Sequence, residues 1–211
     1  MPQPIFVAVA GNIGAGKSSL AKMLGDYFHW KPYFESVDDN PYLADFYQDM
    51  ERWAFHLQIY FLSNRFKAHK QIVESNESVI QDRTIYEDAE IFARNLFNIR
   101  KMSERDFSNY VSLFNVMMEY LKPPDLLIYL RASVDMLLTQ IARRGRDFER
   151  GIERSYLEQL NTLYENWIQR YKHRLLIIES DNVDFVNRHE DFDAIVAQVK
   201  TTLPQMFLFD A

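Results

Sequence analysis

The sequence predicts an α/β fold, a doubly wound five-stranded parallel sheet flanked by helices, on two observations. Short, continuous apolar runs recur along the chain, and long segments of helical periodicity separate them. A strand covered on both faces reads as an unbroken apolar run rather than an alternating one. Residues 5–10, 79–81, 126–130 and 175–178 fit that description, and 33–34, just before Glu35, supply a fifth, shorter candidate. Pro123, Pro124 and Asp125 punctuate the approach to the fourth run. The stretch 134–144 reads as the helix that follows it, with Ser133 placed to cap its first turn. In the segment 52–65, Trp53, Phe55, Leu57, Ile59, Tyr60, Phe61 and Leu62 occupy more than one stripe of a helix. Such a helix is buried on several sides, as a central core element or as one that also meets a second subunit.

The 211 residues fit one α/β domain spanning 1–211. Apolar residues make up 47% of the chain and charged residues 26%, the balance of a soluble globular protein. The net charge of −6 supplies no general attraction for a nucleic-acid backbone, so any anion site has to be built locally from cations and backbone dipoles. There is no cysteine, which excludes disulfides, thiol nucleophiles and thiolate zinc sites and suits a reducing compartment. No run reaches the roughly 18 apolar residues of a membrane span, and the first ten residues lack the basic start of a signal peptide. The expectation is a cytoplasmic protein that meets neither membrane nor nucleic acid.

Directly after the first apolar run come Gly11, Asn12, Ile13, Gly14, Ala15, Gly16, Lys17 and Ser18, followed by Ser19 and an apolar-periodic segment. This is the Walker A spacing in its strand–loop–helix context. The chain has six glycines, and three of them fall in these eight residues, where they let successive N–H groups turn toward an anion. Lys17 is expected to reach the outer phosphates and the Ser18 hydroxyl to ligate Mg²⁺. Guanine-specific Asn-Lys-x-Asp and switch-type Asp-x-x-Gly are both missing, so a GTPase is excluded.

On the other side of the expected crevice, Glu35 leaves the short second strand, where a carboxylate beside a phosphate loop is placed to accept a proton from an attacking hydroxyl. Asp82 and Arg83 end the third run. Asp82 is expected at the metal, and Arg83 at a phosphate oxygen or at Glu35. Arg143, Arg144, Arg146 and Arg150, interleaved with Asp147 and Glu149, read as a basic lid over about 143–152. The five histidines show no ligand or triad spacing and receive no catalytic role.

These motifs, taken in order, resemble the deoxyribonucleoside kinase family, and within it the bacterial deoxyadenosine kinase branch. The resemblance runs through the phosphate loop, the segment 35–43, Phe46-Tyr47, the stretch 52–60, the segment 82–88 and Arg143-Arg144-Gly145-Arg146. It implies a P-loop kinase fold, ATP as phosphate donor with Mg²⁺, a deoxynucleoside as acceptor and a homodimer. It also implies roles. Glu35 is the general base with Arg83 beside it, Tyr47 holds the sugar 3′-hydroxyl, and Gln58 reads the base edge. Arg65 and Asp88 define the base pocket, and Phe92 stacks on the base. Arg144 and Arg146 close over the phosphates, Glu149 approaches the sugar, and Asp184 and Phe185 lie at the ATP adenine.

Spacing supports part of this separately. Gln58 and Arg65 are two helical turns apart, and Asp88 and Phe92 one turn apart. The chain departs from the animal members at Ser36, Asn40, Asp82 and Gln140. Gln58 complements the amine and acceptor of adenine or cytosine, and ionised Asp88 favours an exocyclic amine. Asn40, standing where a tryptophan lines the pocket, leaves width for a purine, so deoxyadenosine is the expected acceptor, with deoxycytidine second. A nucleoside-monophosphate kinase and a non-catalytic nucleotide-binding subunit remain open at this point.

Overall fold

The structure, a computed structural model, describes residues 4–34, 40–146 and 151–203. Its core is a five-stranded sheet in the order β2-β3-β1-β4-β5, with every described pairing parallel. The strands are β1 (Phe6–Gly11), β2 (Lys31–Tyr33), β3 (Val79–Asp82), β4 (Leu126–Arg131) and β5 (Leu175–Glu179). The chain fills one side of β1 with β2 and β3, then crosses to the other side for β4 and β5. The crevice at the carboxyl ends of the strands therefore opens at β1, where such sheets bind ligands.

Alternation along β1 feeds two cores. Val7 and Val9 face one side with Ile80, Ile128, Leu130 and Ile178, covered by α1 (Lys17–Phe28), α7 (Val134–Arg144) and α9 (His189–Thr202). Phe6, Ala8 and Ala10 face the other with Leu127 and Tyr129, covered by the end of α3 (Met50–Glu74) and by α8 (Arg154–Ile168). A third cluster joins α2 (Leu43–Gln48), the front of α3, α4 (Ile85–Glu87), α5 (Arg94–Asn98) and α6 (Glu104–Met118).

Four of the five expected strands match to within a residue. The fifth is displaced: pairing with β3 occupies Lys31–Tyr33, and Phe34 is half exposed beyond it. This strand sits at the sheet edge with Lys31 and Pro32 exposed, so it carries no apolar run, and proline is tolerated where only one side is paired. The helix α7 has its expected bounds, and Ser133 accepts a hydrogen bond from the Met136 N–H at its start. The aromatic segment 52–65 forms part of the longer α3, whose buried positions include Gln58, Arg65 and His69 as well as Leu57 and Leu62. Between α4 and α5 the backbone widens into a π-helical turn, Asp88–Ala93.

His69 fastens α3 to the approach of β4. It is fully buried, its ring lies edge-on to Phe6 at 5.1 Å, and Nε2 is 2.8 Å from the Lys122 carbonyl oxygen. Burial lowers its pKa below the usual 6.5, so the folded state holds it neutral while the unfolded chain protonates near that value. Stability contributed this way is present above about pH 6.5 and is lost as the pH falls below it, because the unfolded state then binds the extra proton. We predict that urea midpoints fall between pH 7.5 and 5.5, and that His69→Phe shows a shallower fall. An equal slope in both proteins would exclude His69 as the cause.

Candidate active site

The phosphate loop leaves β1 at Gly11 and enters α1 at Lys17. Left-handed backbone at Gly14 (φ 85) and Gly16 (φ 91) turns the loop back on itself. A Cβ at Gly14 would stand 2.9 Å from the Leu137 carbonyl oxygen, so α7 lies directly against the loop. Asn12 is buried and braces it from within. Its Nδ2 donates to Leu157 O at 3.1 Å and to Asn161 Oδ1 at 2.7 Å, and its Oδ1 accepts from the Ile13 N–H at 2.7 Å. Ala15 is buried, Ile13 partly so, and Ser18 and Ser19 face solvent.

Lys17 is buried, and its Nζ donates to the Asn12 carbonyl oxygen at 2.9 Å, across the mouth of the loop. Burial, and next the Arg83 charge, push its pKa down to about 8 against the opposing pull of Asp82 and Glu87, so an anion in the loop would favour the ammonium further. The Ser18 hydroxyl donates to Asp82 Oδ2. A hydroxyl and a buried carboxylate at the end of β3 form a hard oxygen pair of the kind Mg²⁺ takes together with phosphate oxygens and water. The two residues expected at the metal are thus in contact.

Arg83 follows with a left-handed backbone (φ 69), uncommon for a side chain with a Cβ, and its guanidinium lies over the Phe92 ring, 4.3 Å from the centroid. Phe92 belongs to the π-helical turn, which also carries Asp88. Asp88 Oδ2 accepts from Arg65 Nε at 3.1 Å, and both side chains are 4% exposed. Arg65 Nη1 adds longer contacts to the carbonyl oxygens of Asp82 and Arg83, at 3.4 and 3.3 Å. The expected base-pocket pair is therefore a buried ion pair fastened to the end of β3. On the same face of α3, Gln58 is buried and its Oε1 has no hydrogen-bond partner. Asn40 is buried as well. Its Oδ1 accepts from the Tyr42 N–H at 2.9 Å, while Nδ2 is unpartnered. Buried polar atoms without partners are rare in folded proteins, and such atoms at a crevice suit a polar ligand.

Tyr47 lies on α2 and is 43% exposed, with its ring edge-on to Phe46. Arg144 closes α7, and Arg146 follows the left-handed Gly145; both are exposed. Asp184 and Phe185 lie between β5 and α9. Phe185 is buried, and its ring would be 3.2 Å from a Cβ at Gly16. The Asp184 carboxylate accepts from the backbone and side-chain N–H groups of Asn187, which hold its pKa below the usual range. Glu35 and Glu149 lie outside the described residues.

Glu87 received no role from the sequence, although Thr84-x-x-Glu87 has the spacing of a capping box. The box forms: Glu87 Oε2 accepts from the Thr84 N–H at 2.7 Å and from its hydroxyl at 3.1 Å. The other oxygen was not foreseeable. Oε1 accepts from the Gly11 N–H at 3.3 Å and lies 2.7 Å from the Tyr164 hydroxyl, which is also 2.8 Å from the Gly11 carbonyl oxygen. Tyr110, a third residue without a prior role, is fully buried near Asp88 and Arg65, which act on its raised pKa after burial; its hydroxyl is unpartnered.

The family model of the deoxynucleoside kinases matches residues 7–204. The chain is 42% identical over 206 residues to the deoxyadenosine/deoxycytidine kinase of Bacillus subtilis (strain 168), covering 96% of this chain and 95% of that protein. It is 37% identical over 204 residues to the deoxyguanosine kinase of the same organism, covering 92% and 96%. Among solved structures, the deoxyadenosine kinase from M. mycoides, with products dCMP and a flexible dCDP bound, aligns with a TM-score of 0.84 at 28% identity, over 93% of this chain and 100% of that one. A phosphate loop, a buried carboxylate–hydroxyl pair beside it and a polar pocket behind a stacked arginine thus coincide with a match along almost the whole length, and the chain belongs to the deoxynucleoside kinase family.

Proposed function

We propose that this deoxynucleoside kinase transfers the γ-phosphoryl group of ATP to the 5′-hydroxyl of deoxyadenosine first and deoxycytidine second, as one domain over 1–211, in the cytoplasm and in nucleotide salvage. The observation that carries the base preference is the unpartnered Gln58 Oε1, on the same face of α3 as the buried Arg65–Asp88 pair. An exocyclic amine, as on adenine and cytosine, satisfies a buried carbonyl oxygen; guanine O6 and thymine O4 set a lone pair against it. The greater identity to a deoxyadenosine/deoxycytidine kinase than to a deoxyguanosine kinase points the same way.

In this reading Glu35 takes the proton of the 5′-hydroxyl as its oxygen bonds to the γ-phosphorus and the bond to the β–γ bridging oxygen breaks, releasing ADP. Arg83, held in place by its backbone and by Phe92, faces the charge that develops there. Lys17 and the loop amides neutralise the donor phosphates, and Arg144 and Arg146 close on them from the lid at about 143–152. Tyr47 and Glu149 orient the sugar, Phe92 stacks on the base, and Asp184 and Phe185 border the adenine of ATP. Ser18 and Asp82 would hold Mg²⁺, which when bound screens the phosphate charges. Among the described residues no helix is long and apolar enough to cross a membrane.

Three outcomes test the reading. Comparing kcat/KM for the four deoxynucleosides with ATP should rank deoxyadenosine above deoxycytidine, with deoxyguanosine and thymidine below; a chain preferring either of the last two overturns the pocket argument. Asp88→Ala should narrow that ranking in the folded fraction and destabilise the protein by about 3–5 kcal/mol in urea titration, because it strands a buried guanidinium. Unchanged stability would mean that the pair is not buried in solution.

Glu35→Gln should lower kcat by roughly 10²- to 10⁴-fold with little change in ATP affinity. Near-normal turnover would remove Glu35 as the base.

The proposed homodimer finds support on α6, where Leu113 and Val116, with Tyr120 just beyond the helix, expose one apolar stripe. Val116→Glu should convert a dimer into a monomer by sedimentation. A wild-type chain that sediments as a monomer would reject this interface.

A further inference from the structure

We infer that Glu87, acting with Tyr164, is a positioning residue for the phosphate transfer, fixing the first residue of the phosphate loop against the strand end that carries Asp82 and Arg83. The residues involved come together from distant parts of the chain. The Gly11 N–H meets Glu87 Oε1, and the Gly11 carbonyl oxygen meets the Tyr164 hydroxyl, so one peptide residue is held from both sides. The second carboxylate oxygen takes the Thr84 N–H and hydroxyl, immediately after Arg83. Glu87 is fully buried, as is Tyr164. Burial, helped by Glu87, raises the Tyr164 pKa well above its ordinary value, which keeps the phenol protonated as a donor.

Gly11 is where the loop departs from β1, at φ 153, and a Cβ there would stand 3.0 Å from the Leu130 carbonyl oxygen. Small movements at this point swing the loop amides that follow. Glu87 thus sets the distance between the donor loop on β1 and the metal and acceptor groups on β3, while touching neither substrate. The sheet register alone leaves this open, because Val9 pairs with Asp82 at the end of β3 and Gly11 lies two residues beyond that last pairing.

A capping box accepts glutamine in place of glutamate. Glu87→Gln therefore keeps an oxygen for the Thr84 N–H and turns an NH₂ group toward the Gly11 N–H, where two donors face each other. The substitution separates a capping role from a positioning role. The inference rests on the kinase activity of the chain, and the assay uses whichever deoxynucleoside the wild-type protein prefers, so an error in base preference leaves it standing.

With Glu87→Gln we expect a melting temperature lowered by a few degrees, because two buried donors then face each other, and kcat and kcat/KM for ATP lowered by about 10- to 10²-fold, the scale of a displaced reacting group. The dissociation constant of the deoxynucleoside should move by less than about threefold, since its own contacts are intact. Wild-type kcat in the folded variant overturns the inference, as does a loss confined to deoxynucleoside binding. If Glu87→Gln does not fold, Tyr164→Phe decides: it removes the hydroxyl that contacts both the Gly11 carbonyl oxygen and Glu87 Oε1 and leaves the Thr84 cap in place, and a lowered kcat/KM for ATP supports the inference, whereas an unchanged value overturns it.

Discussion

The position of one residue, Gly11, governs the rest of the site. It must end a strand buried on both faces, begin a loop whose amides point at an anion, and stay in register with the carboxylate on the neighbouring strand. Each requirement places a demand on a different element. Covering both faces of β1 takes helices α1, α7 and α9 on one side and α3 and α8 on the other. Turning the loop takes glycines that α7 can approach to within backbone contact. Holding the register takes polar groups from α4 and α8, buried where only fully paired hydrogen bonds are tolerable.

A net negative protein that handles polyphosphates solves the problem locally. Lys17, Arg83, Arg144 and Arg146 belong to the loop, the end of β3 and the end of α7, while Arg65 is held by Asp88 in the interior. Lys17 is held by the Asn12 carbonyl oxygen and Arg83 lies over an aromatic face, so both are set in place ahead of any ligand. Such preorganisation means that little rearrangement is needed as charge develops.

Much of this was legible in the sequence wherever physical constraint falls on neighbouring residues. The Walker spacing, the cap at Ser133 and the four apolar strand runs each depend on a few consecutive positions. The edge strand was misplaced by two residues because Lys31 and Pro32 answer to solvent on one side, so pairing with β3 is their only signature. The capping box at Thr84 and Glu87 was readable, but its second use was not: Gly11 and Tyr164 lie 76 and 77 residues away from Glu87. Of the base pocket, the face shared by Gln58 and Arg65 followed from helical spacing, whereas the unpartnered Tyr110 hydroxyl arrives from α6 with no local pattern to announce it.

The π-helical turn at Asp88–Ala93 has a consequence for how this protein can change over generations. Such a turn holds one more residue than an α-helical turn, so its loss requires only a single-codon deletion. Each α-helical residue advances about 100° around the axis, and such a deletion would rotate Asp88 away from Phe92 by that amount while α5 kept its seat. Point substitutions can alter the pocket's chemistry one side chain at a time. The length of this turn sets the spacing between its carboxylate and its ring, and for that reason insertions and deletions here are far more consequential than those in the surface loops nearby.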